Sequence, residues 1–216
     1  MAYSEDYPTL AVERRLWSQG YRYVAGVDEA GRGPWAGPVV AAAVVLPHDQ
    51  LDLEERLAGV HDSKRLTPTQ RDRYFHRIHQ VARAVAVGQA TPDEIDQMGI
   101  IPATRLAMQR ALQALPYAPD YLLLDHLSLP DFNVPQEAFV RGDARVLSIA
   151  AASIVAKVVR DDLMNAYDLL YPGYGFAHHK GYGTPEHWAA LYRLGPTPIH
   201  RKSWAPVRDA MQRFNQ

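Results

Sequence analysis

The longest apolar runs in the chain are short. VVAAAVVL at residues 39–46 and the mostly apolar SIAAASIVAKVV at 148–159 fall well below the length needed to cross a bilayer. VVAAAVVL, within GPVVAAAVVL, reads as a buried strand, and YRYVAGVDE before it reads as another. A Gly/Pro-rich turn joins the two as a hairpin. TLAVERRLWS, residues 9–18, has helical character and is ended by Gly20. Thr67-Pro68-Thr69-Gln70 is a capping box with proline at the first helical position, opening a helix to about residue 81. ARAVAVGQA alternates as a third strand, Thr91-Pro92-Asp93-Glu94 repeats the cap, and a longer helix covers roughly 102–115. DYLLLD, residues 120–125, is a buried strand ending in an acid, and a short strand at 138–140 precedes Gly142-Asp143. Residues 148–170 read as one long helix whose Ala-rich opening permits close packing on a sheet. The remainder, rich in aromatics, His, Gly and Pro, predicts two helices at about 185–194 and 204–214 on a loop-rich base. The pattern predicts an α/β unit over residues 1–170, a mixed sheet flanked by helices, with a C-terminal helical extension at 171–216 packed on it.

Composition narrows the chemistry. The 216 residues fit one domain with an extension, at 47% hydrophobic and 22% charged residues, ordinary for a globular protein. With no cysteine there are no disulfides, thiolate zinc sites or thiol nucleophiles, in keeping with a reducing cytosol. The N-terminus MAYSEDYPTLAVERR lacks the basic and apolar regions of a signal peptide, so the expectation is a soluble cytoplasmic monomer with no membrane partner. Net charge is −1, so no global basic field advertises nucleic acid. Basic residues are nevertheless concentrated. Residues 56–83 hold seven Lys/Arg against two acids, and residues 178–213 hold six, with His178, His179, His187 and His200 among them. These segments are either solvated helix faces or a phosphate-contacting surface beside an acidic site.

Four acids sit where elements end: Asp28 and Glu29 after the first strand, Asp125 after the Leu-rich strand, and Asp143 before the long helix. Unpaired acids at the end of a buried strand lose hydration, so a neutralising partner is needed. Carboxylates are hard oxygen donors that suit Mg²⁺ or Mn²⁺, and each ion usually takes only one or two of them. Four could hold two ions with positions left open for a phosphodiester. Taken singly, Asp125 also serves as a turn cap and Asp143 as a helix cap. The adjacent pair Asp28-Glu29 has no capping duty. The following GRGPWAG is not a dinucleotide fingerprint, because G-x-G-x-x-G is absent and Pro34 and Pro38 oppose the required helix. Its glycines instead predict a turn that offers backbone N–H and C=O groups to a ligand.

GVDEAGRGPWAGPVVAAAVVL, DSKRLTP, GDARVLSIAAASIVAKVVRD, YGFAHHKGYGTPEH and HRKSWAPV, in this order from about residue 20 to 207, resemble bacterial ribonuclease HII. The resemblance implies a ribonuclease H-like fold and a metal-dependent endonuclease. Such an enzyme cuts the RNA strand of RNA–DNA hybrids, and cuts 5′ of single ribonucleotides embedded in duplex DNA, leaving a 3′-OH and a 5′-phosphate. It implies that Asp28, Glu29, Asp125 and Asp143 are the catalytic, metal-binding carboxylates for two Mg²⁺ or Mn²⁺ ions. It implies that Gly31, Arg32 and Gly33 form the turn whose backbone contacts the ribonucleotide 2′-OH, the group that marks RNA. Tyr182 matches the tyrosine that packs on the sugar at the RNA–DNA junction, and Ser63 and Lys64 fall in a phosphate-contacting motif. Without the resemblance Tyr182 is one of twelve tyrosines, and Arg32 serves equally as an ion-pair partner within the acids. The family often continues Asp-Gly after its third acid, where this chain has Asp125-His126. VRDAMQRFNQ lacks the paired aromatics of a clamp-binding tail, so no sliding-clamp partner is expected. Two rivals remain: a related nuclease that prefers continuous hybrids, and a non-catalytic hybrid-binding protein, which the four intact acids disfavour.

Overall fold

In the computed structural model, residues 7–214 are described; the first six and last two residues of the N- and C-terminal segments read above lie outside them. Five strands form one mixed sheet: β1 (Val24–Ala30), β2 (Val39–Val45), β3 (Ala84–Ala90), β4 (Tyr121–Asp125) and β5 (Gln136–Phe139), in the order β3-β2-β1-β4-β5. The expected hairpin is present, β1 running antiparallel to β2 with Asp28 opposite Ala42. β4 lies parallel to β1 on its other side, with Val27 opposite Leu124. That parallel pairing brings the C-terminal ends of β1 and β4, and the acids they carry, to the same edge.

The helices in chain order are α1 (Ala11–Ser18), α2 (Leu53–Arg56), α3 (Pro68–Val81), α4 (Pro92–Met98), α5 (Ile100–Gln113), α6 (Leu147–Leu170), α7 (Phe176–His179), α8 (Pro185–Leu194) and α9 (Ala205–Phe214). β2 is buried along its whole length, because α5 packs on one face of the sheet and α6 on the other. Small residues let both helices come close. A Cβ at Gly26 would stand 2.3 Å from the Ser148 backbone on α6, and one at Gly88 would stand 2.3 Å from the Ala107 carbonyl on α5. Both threonine capping boxes form as the sequence predicts. Thr67 Oγ1 accepts from the Gln70 N–H at 3.3 Å while Gln70 returns a bond at 2.9 Å, and Thr91 and Glu94 repeat the pair.

The differences from the predicted elements have local causes. α1 begins at Ala11 rather than residue 9, because Thr9 is taken up in a bridge to Val146. Gly99, at φ +84°, separates α4 from α5, so the longer helix starts at Ile100 and ends at Gln113. β5 spans Gln136–Phe139 instead of 138–140; pairing with β4 sets its start, and Arg141 in the left-handed region follows its end. Among the described residues no helix is long and apolar enough to cross a membrane.

The segment after α6 packs back on the body. Tyr174, Phe176, Ala190 and Ile199 bury against Met164 of α6 and Ala36 of the β1–β2 connection. Ala36 also bridges to His200.

Candidate active site

All four predicted acids lie at one end of the sheet. Asp28 is in β1, on the face that Gly26 presents to α6, and is 4% exposed. Its Oδ1 accepts from the Glu29 N–H at 2.7 Å. Asp125 closes β4, and its Oδ1 accepts from the Gly142 N–H at 2.6 Å. That bond ties Asp125 to the 3-10 turn Gly142–Ala144, which presents Asp143. Neither acid is the helix cap that a local reading allows: the cap position of α6 is Val146, with no side-chain bond. Arg32 Nη1 reaches Glu29 Oε1 at 3.3 Å, so the alternative of an ion pair within the acids is realised, while Glu29 Oε2 is buried without a partner.

Crowded, buried acids hold their protons tightly and ionise reluctantly. Burial, with Glu29 and Asp125 adding to it, pushes Asp28 well above the usual carboxylate range. Burial also raises Glu29, which the Arg32 guanidinium only partly offsets. Burial, with Asp62 and Asp125, raises Asp143 to about 6. Lys64 feels the cluster from the opposite side. Burial pulls it down, but the fields of Asp28, Asp62, Asp143 and Asp125 outweigh this and hold it above the ordinary lysine value. Among the described residues no group of three or more His, Cys, Asp or Glu is placed to hold a cation as it stands.

Beside the acids is a pocket of ≈ 260 Å³. It gathers every predicted substrate-side residue, Gly31, Arg32, Gly33, Ser63, Lys64 and Tyr182, together with Glu29. Asp28, Asp125 and Asp143 lie outside its lining. Ser153, Lys157 and Arg160 complete the wall and are missed by the sequence reading. Their i, i+4, i+7 spacing on one face of α6 is the signal that finds them. Ser63 is buried and held by Ser153, Oγ to Oγ at 2.9 Å.

The turn at residues 31–38 is built around two buried guanidiniums. Arg201, with no exposed surface, donates to the carbonyls of Gly31 (2.5 Å), Arg32 (2.8 Å), Pro34 (2.8 Å) and Gly37 (2.8 and 3.0 Å). Burial and the charge of Arg160 pull Arg201 down to about 9, which leaves it charged at neutral pH. Arg160 donates to Ala36 and Pro38, each at 3.1 Å, and to the Lys180 carbonyl at 3.1 Å. The predicted turn offers both kinds of backbone group, but in the structure the Gly31 and Arg32 carbonyls point inward to Arg201. The N–H groups of Arg32 and Gly33 have no backbone acceptor among the described residues. Gly31 adopts φ +94°, where a Cβ would meet Arg160 Nε at 2.0 Å, so only glycine fits. At Gly33 a Cβ would stand 3.8 Å from the ring of Tyr182, which is 47% exposed. Gly33 and Tyr182 therefore face each other across the pocket.

His126 is an exposed residue at φ +59°, and its N–H bonds to the Phe139 carbonyl at 2.9 Å. The left-handed backbone explains why a glycine suits the position after this acid. The basic segments are largely committed to structure: Arg71 donates to the Ser63 and Leu66 carbonyls and Arg77 to that of Arg56, while Arg201 is internal. Of the four histidines in the C-terminal segment, His179, His187 and His200 are buried.

A family model described as Ribonuclease HII matches residues 25–207 of this chain. A ribonuclease HII of Chloroflexus aggregans is 53% identical over 204 residues, covering 94% of this chain and 96% of that protein. One from Roseiflexus castenholzii is 55% identical over 202 residues, covering 94% and 90%. The crystal structure of ribonuclease H2 from Pyrococcus horikoshii OT3 aligns with a TM-score of 0.76 at 29% identity, covering 89% of this chain and 99% of that one. Its likeness bears out the expected ribonuclease H-like mixed sheet flanked by helices.

Proposed function

The chain belongs to the ribonuclease HII family and is a ribonuclease H, a hydrolase acting on RNA–DNA hybrids; from that premise we propose that it also cuts 5′ of single ribonucleotides in duplex DNA, using two Mg²⁺ or Mn²⁺ ions and leaving a 3′-OH and a 5′-phosphate. The observation that carries the metal reading is the unpartnered, buried Glu29 Oε2 among acids whose ionised form burial disfavours. The donors are all carboxylate oxygens, as hard cations require, and Mg²⁺ completes its shell with water and phosphate rather than a full protein cage. Asp28, Glu29, Asp125 and Asp143 would hold the ions, which when bound supply Lewis-acid stabilisation of the phosphodiester and an activated water.

The protein's own residues set what reaches that centre. Arg32 holds one oxygen of Glu29 and leaves the other free. The Gly33–Tyr182 gap receives the ribonucleotide, with the N–H groups of Arg32 and Gly33 turned to its 2′-OH and the tyrosine ring against its sugar. Lys64, Ser63 and Lys157 line the same pocket, where the lysines favour a phosphate.

A duplex carrying one ribonucleotide is expected to be cut at its 5′ side when Mg²⁺ or Mn²⁺ is present, with chelator abolishing the cut. Uncut single-ribonucleotide duplex alongside a cleaved continuous hybrid would instead favour the hybrid-only nuclease, and binding without any cut would favour the non-catalytic reading. The two glycines separate folding from recognition. Gly33→Ala makes only an ordinary contact with Tyr182, so stability should move by less than about 0.5 kcal/mol while single-ribonucleotide cleavage falls. Gly31→Ala forces a positive φ and a clash with Arg160, costing about 1–3 kcal/mol. Urea unfolding paired with a cleavage assay tests both. Full activity in Gly33→Ala would remove the nucleotide from this gap.

A further inference from the structure

The turn that carries Tyr182 is gripped by buried histidines whose protons have one self-consistent arrangement. The Thr197 N–H lies 2.9 Å from His200 Nδ1. A backbone N–H only donates, so this Nδ1 is bare. At the other end, His187 Nδ1 lies 2.9 Å from the Tyr182 carbonyl, which only accepts, so this Nδ1 carries hydrogen. The two Nε2 atoms are 3.0 Å apart. With both rings neutral, His200 Nε2 holds the proton and His187 Nε2 accepts it, and every ring nitrogen is used. The hydrogen bonds then run in one direction, from Thr197 through His200 and His187 to Tyr182. His179 stacks on His187 with centroids 4.4 Å apart, and its Nδ1 accepts from the Gly181 N–H at 3.2 Å.

Neutrality follows from the surroundings. His187 and His200 have no exposed surface, and burial draws them down to about 4 and about 3. A proton added to His187 would set two N–H groups against each other across the 3.0 Å gap, and one added to His200 would set its Nδ1–H against the Thr197 N–H at 2.9 Å.

His200 is followed directly by Arg201, whose guanidinium binds the carbonyls of Gly31 and Arg32. Adjacent residues therefore hold the two walls of the ≈ 260 Å³ pocket, one through the Gly31–Gly33 turn and the other through Tyr182. A half-exposed ring has few packing contacts to orient it, so the backbone beneath must do so.

We propose that His187 and His200 are positioning residues that fix Tyr182 against the ribonucleotide through its carbonyl, and so set the width of the recognition pocket. The proposal rests on the reading of Tyr182 as the residue that packs on the sugar.

The test is a double-mutant cycle on a duplex with one ribonucleotide, with kcat, KM and thermal unfolding measured for each variant. His187→Phe keeps a ring and loses the donor; its kcat/KM should fall by about 10- to 100-fold, the scale of a small misplacement near a reacting centre. His187→Asn sets an amide N–H where Nδ1–H stood and should recover most of the loss, whereas His187→Gln places its amide one atom further out and should not. In a Tyr182→Ala background His187→Phe should cost nothing more. Losses that multiply, or an asparagine variant as poor as phenylalanine, would overturn the proposal while leaving Tyr182 its role. A Tyr182→Ala enzyme that cuts like the unaltered protein would overturn the role of Tyr182 and the proposal with it. Long-range ¹H–¹⁵N correlation on the unaltered protein needs no variant to fold. It should show protonated Nδ1 in His187 and protonated Nε2 in His200 at pH 7, and any other pair of tautomers would refute the chain.

Discussion

Asparagine at position 28 is expected to abolish hydrolysis and, in metal-free protein, to raise the melting temperature. Asp28 is 4% exposed and lies among Glu29, Asp125 and Asp143, so its charge is unfavourable there. Asparagine keeps the shape and the oxygen that accepts from the Glu29 N–H. It removes a carboxylate proposed to hold metal, whose ions would supply several kcal/mol of transition-state stabilisation; at 1.36 kcal/mol per tenfold, the rate should fall by about 10³-fold or more. Relief of the charge should stabilise the apo protein by about 1–2 kcal/mol, as site-neutralising changes commonly do, or several degrees in a chain of this size. The apo protein should show the same physics with pH. The folded-state value of Asp143, about 6, lies above its ordinary 3.8. Folding thus favours the protonated form, and this contribution is present at low pH and lost as pH rises through that window. Added Mg²⁺ or Mn²⁺ should stabilise Asp28→Asn less than the unaltered protein. Scanning calorimetry with and without metal reads both effects, and an apo variant less stable than its parent would refute the account of strain among the acids.

The second large effect concerns folding. Arg201→Met should destabilise the protein by about 4 kcal/mol or more, since four buried carbonyls lose a charged donor and each unsatisfied group costs about 1–3 kcal/mol. Some of those carbonyls will find water, which is why the sum is not taken in full. The guanidinium also lies 5.1 Å over the Trp204 ring, a contact that methionine reproduces only in part. Arg201→Lys should rescue little, because one ammonium cannot span acceptors that a planar fork reaches on several sides. Urea unfolding measures the loss. A methionine variant within 1 kcal/mol of the parent would mean that the turn holds its own shape.

Asp28 and Asp125 are legible in the sequence because each follows an apolar run, although β1 continues through Asp28 to Ala30 while Asp125 ends β4, and residue types alone announce an acid where burial is costly. The two capping boxes are legible for the same reason: Thr67 and Thr91 bond residues only three positions away. Asp143 is less so, since a lone acid before a helix looks like a cap, and only its 3-10 turn and the bond from Gly142 to Asp125 separate the two. Arg160 and Arg201 are illegible. Their partners lie 122 to 124 and 164 to 170 positions away, apart from the Lys180 carbonyl, and an arginine in an amphipathic pattern counts as surface. The histidines fail for a related reason. Residue type shows a titratable ring, but the donors and acceptors that fix its proton are backbone atoms brought together by the fold. β5 begins earlier than its own pattern predicts because β4 dictates its register.

The arginine that braces the Gly31–Gly37 turn stands 58 positions after Asp143, the last of the four acids. During synthesis all four carboxylates leave the ribosome before Arg201 does. A chain stopped between the two would carry all four carboxylates without the guanidinium that holds the carbonyls of the turn. The turn can therefore gain its brace only after the acids have been made, and the order of synthesis completes the pocket after them.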